Sequence, residues 1–493
     1  MKGLLNVAVF STLVSATSAI AQPFSVKSLD FDFTISRPPL SANLTSHPGD
    51  EIVVFGRNQT QAQQIAVVAL VDGELKQIDR FAIGEQYFGY DISDYEAEQD
   101  TLYFLAKDHI AQYQYPQKDG EARLLAFSDV HSIYRIAQSN YMKQIDFIYD
   151  INNDGLSDVV LPDFSQLNVW LSHPERELKK VSLPVASHTL LERNEFSASP
   201  AQVFTLDVNN DELLDIVYLE KGALKLHIAH KRHFEEQSVA IREGVYAVDW
   251  WDQLGEDGQP LDQSDLKYRK LERVEDVNGD KIPDLVVRYT QSSGVFDRTN
   301  DYEMYYGQLN AKGALSYNNV PNTTISSEGT LTDLQLQDID GDGAKEVMVA
   351  SFELGVGQVV SALLASSIDQ DIFVYWQNQL GEYPKNPTLD YETEIGFSIS
   401  KGRASEPLVM LSDIDGDGRK DLLFSQDDAL LYRLNDGQRS FARSKKQTAP
   451  LPKSGNQISS ADINSDGKND LIMYYGKLDS AEKQKRLSVL IAQ

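Results

Sequence analysis

The sequence predicts an all-β protein built from one small sheet repeated along the chain, and three observations carry that prediction. A short acidic loop recurs six times, with starts separated by 57, 69, 62, 75 and 49 residues. Short apolar or alternating stretches of strand length flank each copy, and few segments keep a helical period. Between copies there is room for three or four strands separated by turn residues. Repetition of about 60 residues of antiparallel sheet is what a propeller blade needs. The expected architecture is a β-propeller of about eight four-stranded blades, with seven as the alternative, occupying residues 22–493 as a single domain.

The elements follow in chain order. Lys2 gives a positive start, residues 4–14 form a short apolar run, and Ala19-Ile20-Ala21 ends in the small-x-small pattern that signal peptidase cuts. Residues 1–21 are therefore expected to be a signal peptide, with a mature start at Gln22 and a periplasmic or secreted product. The apolar run is too short for an ordinary membrane span, and no later stretch approaches 18 uninterrupted apolar residues, so no span is expected in the mature chain. The segment FSVKSLDFDFTIS follows, from Phe24. After the last loop the chain has room for only about two strands, so this N-terminal segment is expected to supply the missing outer strand and close the ring. Closure removes sheet edges that invite aggregation. Two weak echoes of the repeat come next, HPGDEIVVFG and AEQDTLYFLA, which align Asp50 and Asp100 with the ninth loop position and imply starts near residues 42 and 92.

The six full loops place acidic or amide residues at positions 1, 3, 5 and 9. They are Asp150, Asn152, Asp154 and Asp158; Asp207, Asn209, Asp211 and Asp215; Asp276, Asn278, Asp280 and Asp284; Asp338, Asp340, Asp342 and Glu346; Asp413, Asp415, Asp417 and Asp421; and Asp462, Asn464, Asp466 and Asp470. An EF-hand loop also uses positions 1, 3 and 5, but it needs a bidentate glutamate at 12 that opens a helix. Here position 12 of the fifth loop is Phe424, in a short apolar run that suits a strand. The cage expected is one that closes over nine residues and feeds a strand.

Ca²⁺ is a hard cation that takes about 6 to 8 oxygens in irregular geometry. Four side chains and the carbonyl of residue 7 (Arg419 in the fifth loop) can supply most of that shell. Up to six calcium sites are expected. The loops from Asp338 and Asp413, with four carboxylates and glycine at position 6, should bind best. Those from Asp150 and Asp462 keep Gly155 and Gly467 but place asparagine at position 3, and should bind more weakly. Glu212 and Lys281 replace the glycine in the other two, at a cost in backbone strain. Asp, Asn and Gly also dominate ordinary turns, but six copies in register exceed what turn chemistry produces. A site held tenfold above its dissociation constant adds roughly 1.4 kcal/mol of stability by linkage, so six would add roughly 8 kcal/mol. The chain has no cysteine, so metal rather than disulfides is the expected staple outside the cytoplasm.

The loops and their flanks resemble the FG-GAP and VCBS-type repeat family, the calcium-binding propeller repeat of integrin α chains and many secreted bacterial proteins. The resemblance runs from Asp150 to the C-terminus. The Phe-Gly element of the family is seen loosely, at Phe55-Gly56 and Phe88-Gly89, with tyrosine in its place in MYYGQL and MYYGKL.

Function follows less directly. The chain carries 74 acidic against 45 basic residues, a formal charge of −29, which excludes nucleic acid as a partner and disfavours anionic membranes. No metalloprotease helix, nucleophile elbow or phosphate-binding loop is present. His227, His230 and His233 share a spacing that does not place them on one face of a strand, and they read as surface histidines. Trp250 and Trp251 lie in an insertion and can stack on sugar rings or pack in a core. Residues 355–367 have apolar positions at helical spacing and are expected to form a helix packed over the ring. Two classes of function remain. One is a non-catalytic binding, adhesion or scaffold module for a glycan or an extracytoplasmic protein. The other is a propeller-fold lyase or hydrolase acting on an extracellular polysaccharide.

Overall fold

Runs such as DLLF at Asp421–Gln426 and EIVVFG at Glu51–Arg57 are apolar on consecutive residues, which requires a strand buried on both faces. The computed structural model shows how that demand is met. It describes residues 23–493 except for 94–98, 117, 119, 137–141, 174–177, 193–194, 256–257, 295–296, 312, 328, 353–365, 399–402 and 427–428. The expected signal peptide and nearly all of the expected helix at 355–367 lie outside the described residues; Ser367 opens a strand, Ser367–Tyr375. Among the described residues the helical content is short 3-10 turns such as Ile133–Ile136, and no helix is long and apolar enough to cross a membrane.

The strands fall into successive antiparallel units of four or more strands, the arrangement of a β-propeller. Among the described residues these units span 34–82, 89–129, 148–183, 203–240, 245–325, 330–405, 409–448 and 458–492. The fifth and sixth touch edge to edge through one parallel pairing, Asn300 with Thr330. Two extra hairpins, His188–Glu192 with Glu195–Ser199 and Gly307–Leu309 with Leu315–Tyr317, are inserted around this plan.

Alternate residues of one strand serve opposite neighbours, the period-2 consequence of a pleated strand. Leu422 packs with Val374 of the sixth unit, whereas Leu423 packs with Leu471 of the eighth. The same clustering joins Val53 to Phe104, Tyr103 to Leu161, Val169 to Ile216, Leu226 to Leu285, and Met304 to Val347. Ile472 of the last unit then returns to Ile52 of the first. Each neighbouring pair of units thus shares its own core, and the last pair completes a ring.

The N-terminal strand Phe24–Asp30 lies at the edge of the last unit, antiparallel to Arg486–Ala492, with Phe24 opposite Ala492 and Asp30 opposite Arg486. The Arg486 guanidinium grips Asp30 through Nε at 2.7 Å and Nη2 at 2.9 Å. Phe24 is buried against Tyr432 of the seventh unit, ring edge to face at 6.3 Å. Fully burying a side chain of this size is worth roughly 2 kcal/mol, so the chain ends are tied by packing as well as by seven paired residues.

Candidate metal centres

Each acidic loop joins two adjacent antiparallel strands of its unit, in one register. The residue before the loop pairs with the ninth position: Tyr149 with Asp158, Leu206 with Asp215, Glu275 with Asp284, Gln337 with Glu346, Ser412 with Asp421, and Ala461 with Asp470. Within the loop, the N–H of residue 6 donates to the first aspartate, as Gly155 does to Asp150 and Gly418 to Asp413, both at 2.8 Å. The N–H of residue 7 donates to the fifth-position aspartate, as Lys468 does to Asp466 at 3.0 Å. Residues 4 and 6 adopt positive φ in all six loops. Glu212 (φ 68°) and Lys281 (φ 65°) are therefore held where glycine is preferred, a strain of order 1 kcal/mol each. No atom lies within 4 Å of a Cβ built on Gly155, Gly343, Gly418 or Gly467, so only backbone geometry favours glycine there.

The ninth carboxylate has a different job from the other three. Asp158, Asp215, Asp284, Asp421 and Asp470 are fully buried, and Glu346 nearly so. One oxygen accepts the N–H of position 2 across the loop, for example from Val208 to Asp215 at 3.0 Å. In five loops the other oxygen accepts an N–H beyond the loop in the same unit: Ser172 at 2.6 Å, Ala229 at 2.6 Å, Gly307 at 2.8 Å, Asn435 at 2.8 Å and Ala492 at 2.8 Å. Burial, reinforced by the neighbouring loop carboxylates, outweighs these donors. It pushes Asp158, Asp284 and Glu346 up to about 7 and Asp215, Asp421 and Asp470 up to about 6.

What remains for an ion is set by positions 1, 3 and 5. In the loops from Asp207, Asp276 and Asp462 the asparagine at position 3 turns its amide onto the fifth-position aspartate, at 3.1, 3.1 and 3.0 Å. In the loop from Asp413 the Arg419 side chain donates to Asp417. These N–H groups meet part of the demand that a cation would meet. The loops from Asp150 and Asp338 show no such donor among the described residues. There a position-3 oxygen, Asn152 Oδ1 or Asp340 Oδ1, is buried without a hydrogen-bond partner. Three carboxylates approach one another within 4.8 Å at Asp338, Asp340 and Glu346, and again at Asp413, Asp415 and Asp421. Burial, and then the fifth-position carboxylates Asp342 and Asp417, raise the Asp340 and Asp415 carboxyls as well. The donor set is all hard oxygen, which fits Ca²⁺ and not a soft metal.

Adjacent loops are also bonded to each other. The N–H of position 8 donates to the position-2 carbonyl of the preceding loop, from Leu214 to Ile151 at 3.0 Å, Lys345 to Val277 at 2.8 Å and Lys420 to Ile339 at 2.8 Å. Asn469, at position 8 of the last loop, donates instead to the position-1 carbonyl of Asp413 at 2.7 Å. Position 8 of the loop from Asp276 is Pro283, which has no N–H to give. The loops therefore form a pair, from Asp150 and Asp207, and a run of four from Asp276 to Asp462. Within that run Gly279, Gly341 and Gly416 at position 4 each lie against the backbone of residue 6 in the next loop. This close approach has no signature in any single loop.

The first two units correct the sequence alignment by one residue. Glu51, not Asp50, occupies the buried ninth slot; it accepts the N–H groups of Leu44 at 2.8 Å and Thr45 at 3.1 Å. The Thr45 hydroxyl bonds its other oxygen, and His47 Nδ1 lies 3.8 Å from the same carboxylate. Asp50 accepts instead from the Ser41 hydroxyl at 2.8 Å. Asp100 likewise precedes its strand Thr101–Leu105, and its side chain accepts the N–H of Asn43 in the first unit at 2.7 Å. Asp91 had no sequence signal because it lies inside a strand. It is buried, accepts the N–H groups of Phe147 at 2.6 Å and Ile148 at 2.7 Å, and is pushed up to about 6 by burial.

The other candidates separate. His227 is not a surface residue: it is buried and stacked on Tyr218, and desolvation lowers its pKa, whereas His230 and His233 stack on each other across a hairpin. Trp250 is buried with Leu266 and Tyr268, while Trp251 is 52% exposed.

Residues 413–473, which carry the loops from Asp413 and Asp462, match the family of the FG-GAP-like repeat. No curated protein matches the chain. Among solved structures the chain is similar to an Agrocybe aegerita lectin specific for non-reducing terminal N-acetylglucosamine, at 14% identity, covering 92% of this chain and 100% of that one, with a TM-score of 0.41. It is similar to the V. cholerae biofilm matrix protein Bap1 at 11% identity, covering 96% and 91%, with a TM-score of 0.38. It is also similar to the WD40 domain of SCAP from fission yeast at 10% identity, covering 95% and 98%, with a TM-score of 0.38.

Proposed function

We propose that the chain is an exported, eight-bladed calcium-binding propeller that works without catalysis, as a binding or scaffold module for a glycan or an extracytoplasmic protein. The observation that carries the metal part of this reading is the pair of buried, unpartnered oxygens at position 3, Asn152 Oδ1 and Asp340 Oδ1. A buried oxygen without a donor costs about 1–3 kcal/mol, and a divalent cation removes that cost together with the repulsion among its neighbours. In each loop the side chains at positions 1, 3 and 5 would hold the ion beside the ninth carboxylate, which also holds the loop to its sheet. The chemistry supplied is structural: the ions would fix six of the loops at one end of the ring and leave the opposite end for a partner. Calorimetric titration of the purified mature protein should show calcium uptake, and thermal unfolding should shift upward between chelator and millimolar calcium. No uptake would overturn the metal reading. Release of unsaturated, ultraviolet-absorbing ends from an acidic polysaccharide would overturn the non-catalytic one.

A further inference from the structure

The seam where the ring closes carries a cleft of about 710 Å³, formed by residues 32–37 and the 57–61 turn of the first unit and by residues 454–485 of the last. It lies beyond the C-terminal ends of Glu51–Arg57 and Asp470–Met473, whereas the loop from Asp462 and its counterpart in the first unit precede the N-terminal ends of those strands. Its charge is opposite to that of the protein. Arg37, Arg57, Lys477 and Lys485 line it, against one carboxylate, Asp32, which Arg80 engages at 2.7 Å. Among the described residues no carboxylate lies within 4 Å of the Lys477 or Lys485 ammonium group. In a chain of net charge −29, a concavity of this sign is a local exception and focuses anions.

The rest of the lining narrows the anion. Six lining residues carry amide side chains, and Tyr474 gives an aromatic wall. Amides both donate and accept, as sugar hydroxyls require, whereas a simple phosphate needs donors alone. Gln457 Oε1 is a buried acceptor in this cleft without a hydrogen-bond partner. Guanidinium forks suit planar carboxylates. We infer that this seam cleft binds an acidic saccharide, a carbohydrate unit bearing a carboxylate. The inference rests on the proposed binding role, and it names the ligand class and the place. A second cleft of about 740 Å³, between the sixth and seventh units, is lined instead by Asp369, Glu392, Glu394 and Glu406; it repels the same ligand and makes the seam specific.

The test is calorimetric titration of the calcium-loaded mature protein with a short oligogalacturonate, a neutral oligosaccharide of equal length, and polyglutamate. The uronate is expected to bind and the other two are not. Lys477→Glu with Lys485→Glu is expected to weaken uronate binding at least about tenfold. Lys445→Glu with Lys446→Glu, on exposed lysines of the seventh unit, is expected to leave it unchanged; melting temperatures verify that both variants fold. Equal binding of the neutral sugar or of polyglutamate, no binding of the uronate, or an unchanged affinity in the Lys477/Lys485 variant overturns the inference. Calcium uptake is measured separately in the same preparation, so loss of the cleft reading leaves the metal reading standing, and the reverse.

Discussion

The loop of the first unit and the loop of the seventh do the same folding job with different means. Both place a buried carboxylate on the first residue of the strand that follows the loop, Glu51 in one and Asp421 in the other, and both clamp the loop by accepting the N–H of the residue seven before it. The first unit then completes its site internally, with the Thr45 hydroxyl and His47 around Glu51. The seventh gathers Asp413 and Asp415 beside Asp421, within 4.8 Å, a cluster that could hold a metal ion. The difference separates two roles that a motif merges: the ninth position builds the sheet in both loops, and carboxylates at positions 1 and 3 beside it make only the seventh a candidate ion site.

The largest expected effect comes from the seam between the first and last units. Deleting residues 23–30 strips the paired edge from Arg486–Ala492 and exposes a strand edge prone to association. Cooperative unfolding should be lost in calcium as well as in chelator, as read by circular dichroism. Retention of a sharp calcium-dependent transition would mean that the loops alone hold the ring.

Next come the carboxylates themselves. Glu51→Gln and Asp421→Asn each turn an amide toward backbone donors and should cost about 2–3 kcal/mol in chelator, measured by denaturant unfolding. Asp415→Asn should cost under about 0.5 kcal/mol in chelator and act only through calcium, because Asn464 already accepts the equivalent N–H, from Asp466 at 3.1 Å. Equal losses from Asp415→Asn and Asp421→Asn in chelator would erase the division of roles.

The pH response sharpens it further. In the metal-free protein the six ninth-position groups are raised to about 6 or 7 by burial, from about 4 when unfolded. A raised acid favours the folded state while protonated. Its contribution is complete below about pH 4 and is lost as pH rises through 6 to 7. Stripped protein should therefore lose melting temperature between pH 5 and pH 8, and the upward shift produced by calcium should be larger at pH 8. A calcium shift independent of pH would place the ion away from these groups.

The smallest effect concerns Arg419, whose guanidinium occupies Asp417. Arg419→Ala should raise the calcium affinity of that loop about fivefold, seen as a lower calcium midpoint in thermal-shift titration. A weaker site would make the arginine a support for the loop.

Much of this was legible in the sequence because it is local. Six ligand patterns in register, apolar flanks and a missing last strand lead to a ring closed by Phe24–Asp30, and the structure has that closure. What escaped was either ambiguous by one residue or distant in the chain. Asp50 and Glu51 are adjacent acids, and only the pleat decides which one is buried. The sequence ranks the loops from Asp338 and Asp413 together, but Arg419 satisfies part of one, and the loop from Asp150 joins Asp338 in leaving an oxygen unpartnered. The role of Pro283 in dividing the loops into a pair and a run of four depends on a hydrogen bond between units. The seam cleft joins residues 32–37 to residues 454–485, a separation that no motif spans.

A crystal structure grown in calcium tests the division of labour most directly. The account predicts ion density at the loop from Asp338, bounded by Asp338, Asp340 and Asp342, and at the loop from Asp150, with none beside Glu51 and Thr45. Empty acidic loops, or an ion lodged at Glu51 in their place, would contradict it.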